Sequence, residues 1–283
     1  MGRRLFCDIC PLTYSISYHK QCLLRSMANL RPQRPQAKGR LEQPLPYVVY
    51  RHKSLIRRRL GEVDPQLQEN KAVNLSIAAP KVNGVIIRPG EEFSFWGLVG
   101  SCTKAKGYLN GLTIANGTTG KSIGGGMCQF TNLIHWLVLH SPLEVTEYHH
   151  HDKYDLFPDF GRVVPFGVGT SILYNYLDYR FYNPTQADFQ LLVEVKGEYL
   201  WGELRCSQPQ GQKFHIETEG EAFVRRADGV YRLGRIYRLR VDKATGNILE
   251  RQCIKENNAL VCYDESYIRL EQWQTYQQHT AGK

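Results

Sequence analysis

From Met1 to Leu60 the chain has almost no negative charge: Asp8 and Glu42 stand against 13 Lys and Arg, whereas the remainder carries 23 against 25. The net charge of +9 therefore belongs to the N-terminal segment, which suits an anionic membrane surface, nucleic acid or anionic cell-wall precursors, against the opposing reading of a solvated basic segment with no dedicated partner. No specific nucleic acid partner is expected. An apolar run able to span a bilayer is also missing, since the best, Leu133 to Leu139, is far too short. There is no clean secretory leader either: after Arg3 and Arg4 the segment is interrupted by Asp8, Pro11, His19, Lys20 and Arg25. The expected location is cytoplasmic, with peripheral membrane contact through the basic N-terminus. In that setting eight cysteines read as thiols or ligands rather than as a disulfide framework. No internal repeat is present. With 283 residues and 42% hydrophobic side chains, the chain has enough apolar material for a sizeable core.

What is present is concentrated in the middle. Gly124, Gly125 and Gly126 lead through Met127 into Cys128 and Gln129, followed by an apolar helix from Phe130 to His140. A helix N-terminus has unpartnered N–H groups and partial positive charge, which favours a thiolate. Glycines before it let N–H groups turn toward a substrate carbonyl. The pattern predicts Cys128 as a nucleophile, with Gly124, Gly125, Gly126 and Gln129 supplying an oxyanion hole. The opposing reading makes the glycines a tight turn, Cys128 a small buried hydrophobe, and Gln129 a partner for a loop carbonyl.

Downstream, Pro142 to Tyr148 alternates as a strand and delivers His149, His150, His151 and Asp152. Alternation puts His149 and His151 on one face and His150 on the other. His149 and His151 are thus the candidate bases for Cys128; the opposing reading is a solvated strand end. His135 and His140 share the cysteine's helix but lie too far along it, and Trp136 reads as packing. Arg162 is either a carboxylate ligand or a surface residue. Cys7, Cys10, His19 and Cys22 form a weaker candidate zinc knuckle, against free cysteines on an amphipathic segment. No other metal and no cofactor is expected.

The remaining pattern predicts an α+β fold in which the glycine and cysteine helix packs on a mainly antiparallel sheet, with a β-rich C-terminal part. Residues 1–45 read as a basic segment and linker, 46–206 as a core domain and 207–283 as a C-terminal extension. Asp64 to Ala79 reads as a helix stopped by Pro80. Val85 to Ile87 reads as a short strand. Leu173 to Tyr182 and Phe189 to Val195 read as a pair, as do Tyr231 to Val241 and Asn247 to Gln252. Cys253 and Cys262 are expected to face each other across a hairpin through Glu256 to Asn258.

Four stretches carry a resemblance: Leu55 to Trp96, Gly107 to Gly117, Gly124 to Leu143 and Leu173 to Asn183. In these the chain resembles the VanW family, over roughly half its length, with weaker similarity in the last eighty or so residues. The resemblance implies a link to the bacterial cell wall and to glycopeptide resistance. Larger secreted proteins with such a domain resemble L,D-transpeptidases whose cysteine corresponds to Cys128. It also matches His149 and His151 to the family's histidines and puts Asp152 where serine is usual. An Arg-Asp pair of the wider pattern is replaced here by Gly167, Val168, Gly169 and Thr170. Asp152, Asn175 and Asp178 are the substitutes nearest in sequence for orienting the base. Two expectations follow: a cysteine-dependent acyl transferase or hydrolase acting on peptidoglycan peptides or their precursors, or a noncatalytic accessory protein that binds such a precursor. A metal site using Cys128 and two histidines is a weaker third.

Overall fold

In the computed structural model, helix α1 (Pro11–Leu30) precedes strand β1 (Tyr47–Leu55), helix α2 (Gln66–Val82) and strands β2 (Val85–Ile87) and β3 (Glu92–Ser94). Next come α3 (Phe95–Val99), the hairpin β4 (Asn110–Ala115) and β5 (Thr118–Ile123), α4 (Met127–Leu139) and β6 (Glu144–Glu147). The chain continues through β7 (Tyr154–Asp155), β8 (Arg180–Tyr182), β9 (Phe189–Lys196), β10 (Tyr199–Cys206), β11 (Gln212–Arg226), β12 (Gly229–Asp242) and β13 (Ile248–Val261). The structure describes residues 6, 9–58, 64–115, 118–150, 153–159 and 161–273.

The expected α+β fold is what the chain adopts. An antiparallel sheet in the order β1-β10-β9-β2 forms the floor of the core, and α4 lies across β1 and β10. The helix comes close because residue 202 is glycine: a Cβ there would stand 2.9 Å from Leu133 Cδ2. Phe130, Ile134 and Val138 fill the core with Phe93, Phe95 and Phe181. A second sheet, β3-β8-β6, is antiparallel. The main core draws its members from Ala37 to Cys206. The long C-terminal strands form a third sheet, β11-β12-β13-β7, with its own small cluster of Phe223, Val230 and Ile268. It meets α4 through Ile236 against Trp136, Leu139 and Val168, and Arg238 donates to the carbonyls of Leu139 and Ser141.

Several local expectations are corrected. Residues 31–46 are not a free linker: Gln36 bridges Glu92, Arg40 bridges Val85, and Ala37 is buried. Pro80 does not stop α2, which runs on to Val82; a proline this near a helix end disturbs few backbone bonds. Asp64 still accepts from the Gln66 N–H at 3.0 Å. β8 and β9 do not pair, because at Asn183 the chain changes sheets, with its amide bonded to the carbonyls of Ile87 and Ala187. Cys253 lies within β13 and Cys262 follows its last residue, so the two do not face across a hairpin. The β12–β13 pair around Asp242 to Gly246 forms as expected.

Among the described residues of the candidate zinc knuckle, Cys10, His19 and Cys22 are not gathered around one point. Cys10 caps a continuous helix that contains His19 and Cys22, which puts Cys10 and Cys22 about 18 Å apart along the axis. Cys7 lies outside the described residues. No described helix is long and apolar enough to cross a membrane.

The most crowded backbone contact joins Gly111 of β4 to Gly125, where a Cβ on residue 125 would stand 2.2 Å from the Gly111 carbonyl carbon and oxygen. We expect Gly125→Ala to lower stability by about 2 kcal/mol or more, measured by urea denaturation. Gly211→Ala, which meets nothing within 4 Å, should change it by less than about 0.5 kcal/mol.

Candidate functional site

The glycine loop is built by α2 and β4. Asn74 of α2 donates to the carbonyls of Leu109 (3.0 Å) and Gly125 (2.9 Å) and accepts from the Leu109 N–H at 2.8 Å. Gly124 and Gly126 take φ values of 75° and 96°, a region where a side chain is strained. A Cβ on Gly124 would fall 2.3 Å from Cys102 Cβ, and one on Gly126 would fall 2.3 Å from Lys71 Cγ. Each glycine is therefore demanded by packing as well as by the turn.

Three of the four expected donors are engaged elsewhere. The N–H of Gly124 goes to the Leu109 carbonyl and that of Gly125 to the Ser122 carbonyl, so both point into the protein. Gln129 gives its amide to Ser54 Oγ and the Leu55 carbonyl, each at 2.8 Å, which is the loop-carbonyl role. Among the described residues, no acceptor meets the N–H of Gly126 or Met127. Of the three glycines expected to donate, Gly126 alone keeps an N–H with no acceptor among the described residues, and the Met127 N–H beside it joins it.

Cys128 sits in the first turn of α4, half-buried. Burial pushes its thiol up, although the Ile172 N–H donates to the sulfur and pulls the other way. The helix start does not make it a ready thiolate in the unliganded protein. Segment 168–172 lies along the same helix face: the Thr170 N–H donates to Asn132 Oδ1 at 2.6 Å and its hydroxyl does so at 2.8 Å. Thr131 bonds both the Thr170 hydroxyl and the Cys128 carbonyl.

His149 and His150 turn to different sides, as alternation predicts, but it is His150 that lies toward α4. The pairing of β6 with β8 shifts register between Val145 and Glu147, and such a bulge reverses the parity of every side chain beyond it. His149 turns to Glu147, with Nε2 3.0 Å from Oε1, while its carbonyl accepts from the Ser171 N–H. His150 lies on the side of α4 instead: a Cβ on Gly169 would stand 3.5 Å from His150 Nε2 and 3.8 Å from Asn132 Oδ1. His151 and Asp152 lie outside the described residues.

Of the proposed orienting groups, Asp178 and Asn175 are engaged elsewhere. Asp178 accepts from Ser94, the Trp96 and Tyr179 N–H groups and Arg180. Asn175, at φ 56°, binds Ser26 and the Cys22 carbonyl of α1. Glu147 takes the place near a histidine. Burial alone would raise its carboxyl, but two bonds from Arg25 at 2.7 Å, the Asp178 N–H and His149 hold it below the usual range. Arg162 pairs with Asp159 at 3.3 Å. Trp136 is buried in packing.

Sequence reasoning missed Lys71. It is 7% exposed, its side chain passes against Gly126, and no described acid pairs with its amine. Burial, and then the charges of Arg58 and Arg57, lower it to about 7. A signal was available: Lys71 lies four residues from both Leu67 and Leu75, on the buried stripe of α2. The amide of neighbouring Gln68 is also buried without a partner.

Deeper along α4, His135 bonds the Tyr179 hydroxyl at 3.0 Å and stacks on Tyr148. Burial lowers it to about 3, and His140 to about 4.

A family model described as VanW like protein matches residues 70–205, a span that contains Lys71, the glycine loop, Cys128, Asn132, His149, His150 and Thr170. The Vancomycin B-type resistance protein VanW of Enterococcus faecalis is 32% identical over 222 residues, 78% of this chain and 80% of that protein. The uncharacterized protein YoaR of Bacillus subtilis is 27% identical over 128 residues, 45% of this chain and 40% of that protein. No solved structure matches.

Two outcomes follow from the buried bases. As pH falls below about 6.5, the unfolded chain protonates at His135 and the folded one does not, so stability is lost progressively toward about 3. His135→Phe should therefore lose less stability than the parent between about pH 7 and pH 4 in urea titrations. Lys71 has a lowered folded value, so its cost is greatest below about 7 and shrinks as pH rises toward 10.5. Lys71→Met should raise stability by about 1–3 kcal/mol near pH 6 and by less near pH 10.

Proposed function

This chain belongs to the VanW family, and we propose that it acts in glycopeptide resistance through Cys128, as an acyl transferase or hydrolase on peptidoglycan stem peptides or their precursors. The name of the enterococcal relative supports the resistance context. The observation that carries the chemistry is the first turn of α4, where a half-buried cysteine lies between unpartnered N–H groups and the 168–172 segment, whose Gly169 neighbours His150.

In this reading the Cys128 thiol gives its proton to a base as the sulfur attacks the peptide carbonyl. His150 is assigned that role, because it lies on the α4 side while His149 is held by Glu147. The oxyanion is stabilised by the N–H groups of Gly126 and Met127. The leaving amine takes a proton, and a thioester remains on Cys128. An acceptor amine or water then attacks the thioester and the thiol is restored. Because burial holds the free thiol protonated, deprotonation belongs to the substrate complex.

Lys71 favours a second reading, in which the helix start and this amine capture a stem-peptide carboxylate without chemistry. Such binding strengthens below about pH 7, where the amine is charged.

The test is incubation with a synthetic stem pentapeptide, followed by mass spectrometry of the intact chain and of the products. An acyl adduct mapped to Cys128, with turnover falling at least about 10³-fold in Cys128→Ala, is the expected outcome. Peptide binding that persists in Cys128→Ala with no adduct in the parent, and that weakens about tenfold or more in Lys71→Met, would replace catalysis by capture.

A further inference from the structure

Helix α1 has two faces, and only one is used. Tyr18, Cys22, Arg25, Ser26 and Asn29 fall within about 100° of arc, and this face holds the body of the protein. Arg25 binds Glu147 and the Tyr176 carbonyl, Ser26 binds Asn175, Arg180 reaches Asn29, and Tyr18 packs on Tyr176. A second face carries Leu12, Ile16, Leu23, Met27 and Leu30, within about 60° of arc and about 120° from the first. Each of these five is at least half exposed, and no residue of α1 is buried. An apolar stripe along a 20-residue helix, about 30 Å long, is more than a scatter of surface leucines.

The charge around the stripe selects its occupant. From Ile9 to Leu41 there is no acidic residue, while Lys20, Arg25, Arg31, Arg34, Lys38 and Arg40 are all basic. Arg25 and Arg34 meet Glu147 and Glu92, and Arg40 meets backbone carbonyls. Lys20, at the edge of the stripe, and Arg31, just past its end, meet no described acid. A second copy packed on this seam would bring Lys20 and His19 against their own kind, with no carboxylate on α1 to pair them. A surface of anionic lipid supplies both the apolar layer and the countercharge, with Lys20 extending past the stripe to the headgroups.

We propose that α1 docks along an anionic membrane surface through Leu12, Ile16, Leu23, Met27 and Leu30, with Lys20 and Arg31 at the headgroups. The helix is not apolar enough to cross the bilayer, so it lies in the plane of the interface. Its packed face then fixes the orientation of the docked protein, with Glu147 and the 173–177 turn directly beneath the helix. This inference does not rest on the chemistry assigned to Cys128.

The test is cosedimentation of the full chain with phosphatidylcholine vesicles, with or without about 30% phosphatidylglycerol. Binding is expected to the anionic vesicles, to weaken as salt is raised, and to fall at least about tenfold in the Leu23→Ser, Met27→Ser double variant. The altered side chains are exposed, so the thermal midpoint of that variant should be unchanged, and Lys20→Glu should weaken binding by itself. Failure to bind anionic vesicles, or equal binding with and without phosphatidylglycerol, would overturn the proposal. So would a dimer in sedimentation equilibrium that the double variant abolishes without any vesicle binding, which would give the stripe to a second copy.

Discussion

The contact on which the candidate site depends is the approach of two backbones with no side chain between them. Gly125 lies on Gly111 so closely that a methyl group on either would collide with the other's main chain. Asn74 locks the arrangement by bonding Leu109 and Gly125 together. The start of α4 is thereby fixed to α2 and to β4 at once. Everything used at the site follows from that seating: the angle of Cys128, the path of Lys71 past Gly126, and the unpartnered N–H groups of Gly126 and Met127.

That seating sets up opposing electrostatic effects. The helix start favours negative charge at Cys128, but the packing that positions it also removes water, and burial prevails over the Ile172 hydrogen bond. The same burial holds Lys71 near neutrality. A half-buried thiol is kept protonated beside this helix start, and the buried amine passing it gains or loses its charge around pH 7. An arriving carboxylate would pair with the Lys71 amine, and an arriving carbonyl would bring the Cys128 sulfur the electrophile it can attack.

Much of the fold was legible because it rests on local signals. The apolar run after Gly126 gives α4, and the turn residues from Asp242 to Gly246 give the β12–β13 hairpin. What was not legible depends on partners distant in sequence. The bulge at Thr146, just before the histidines, is revealed only by the pairing of β6 with β8. Asn183 and Pro184 look like a hairpin turn but mark a change of sheet. Cys128 was legible as a residue in a helix start, yet its protonation is decided by burial, which outweighs the Ile172 N–H. Lys71 stood on an apolar stripe, and a count of helical spacing alone would have singled it out. The functions of the three glycines divide in the same way: the turn was legible, whereas the directions of their N–H groups depend on Leu109 and Ser122.

The central claim is that Cys128 is a protected thiol served by a base on the α4 side. It is tested most directly by the pH dependence of Cys128 alkylation with iodoacetamide, with and without a stem peptide, in the parent chain and in His150→Ala and His149→Ala variants. The account predicts slow reaction in the free protein, rising only above the ordinary thiol range of about 8.5. With peptide bound, the profile should move to lower pH in the parent and in His149→Ala, but not in His150→Ala. A thiol already reactive near neutrality without peptide, or a profile that follows His149 instead, would contradict it.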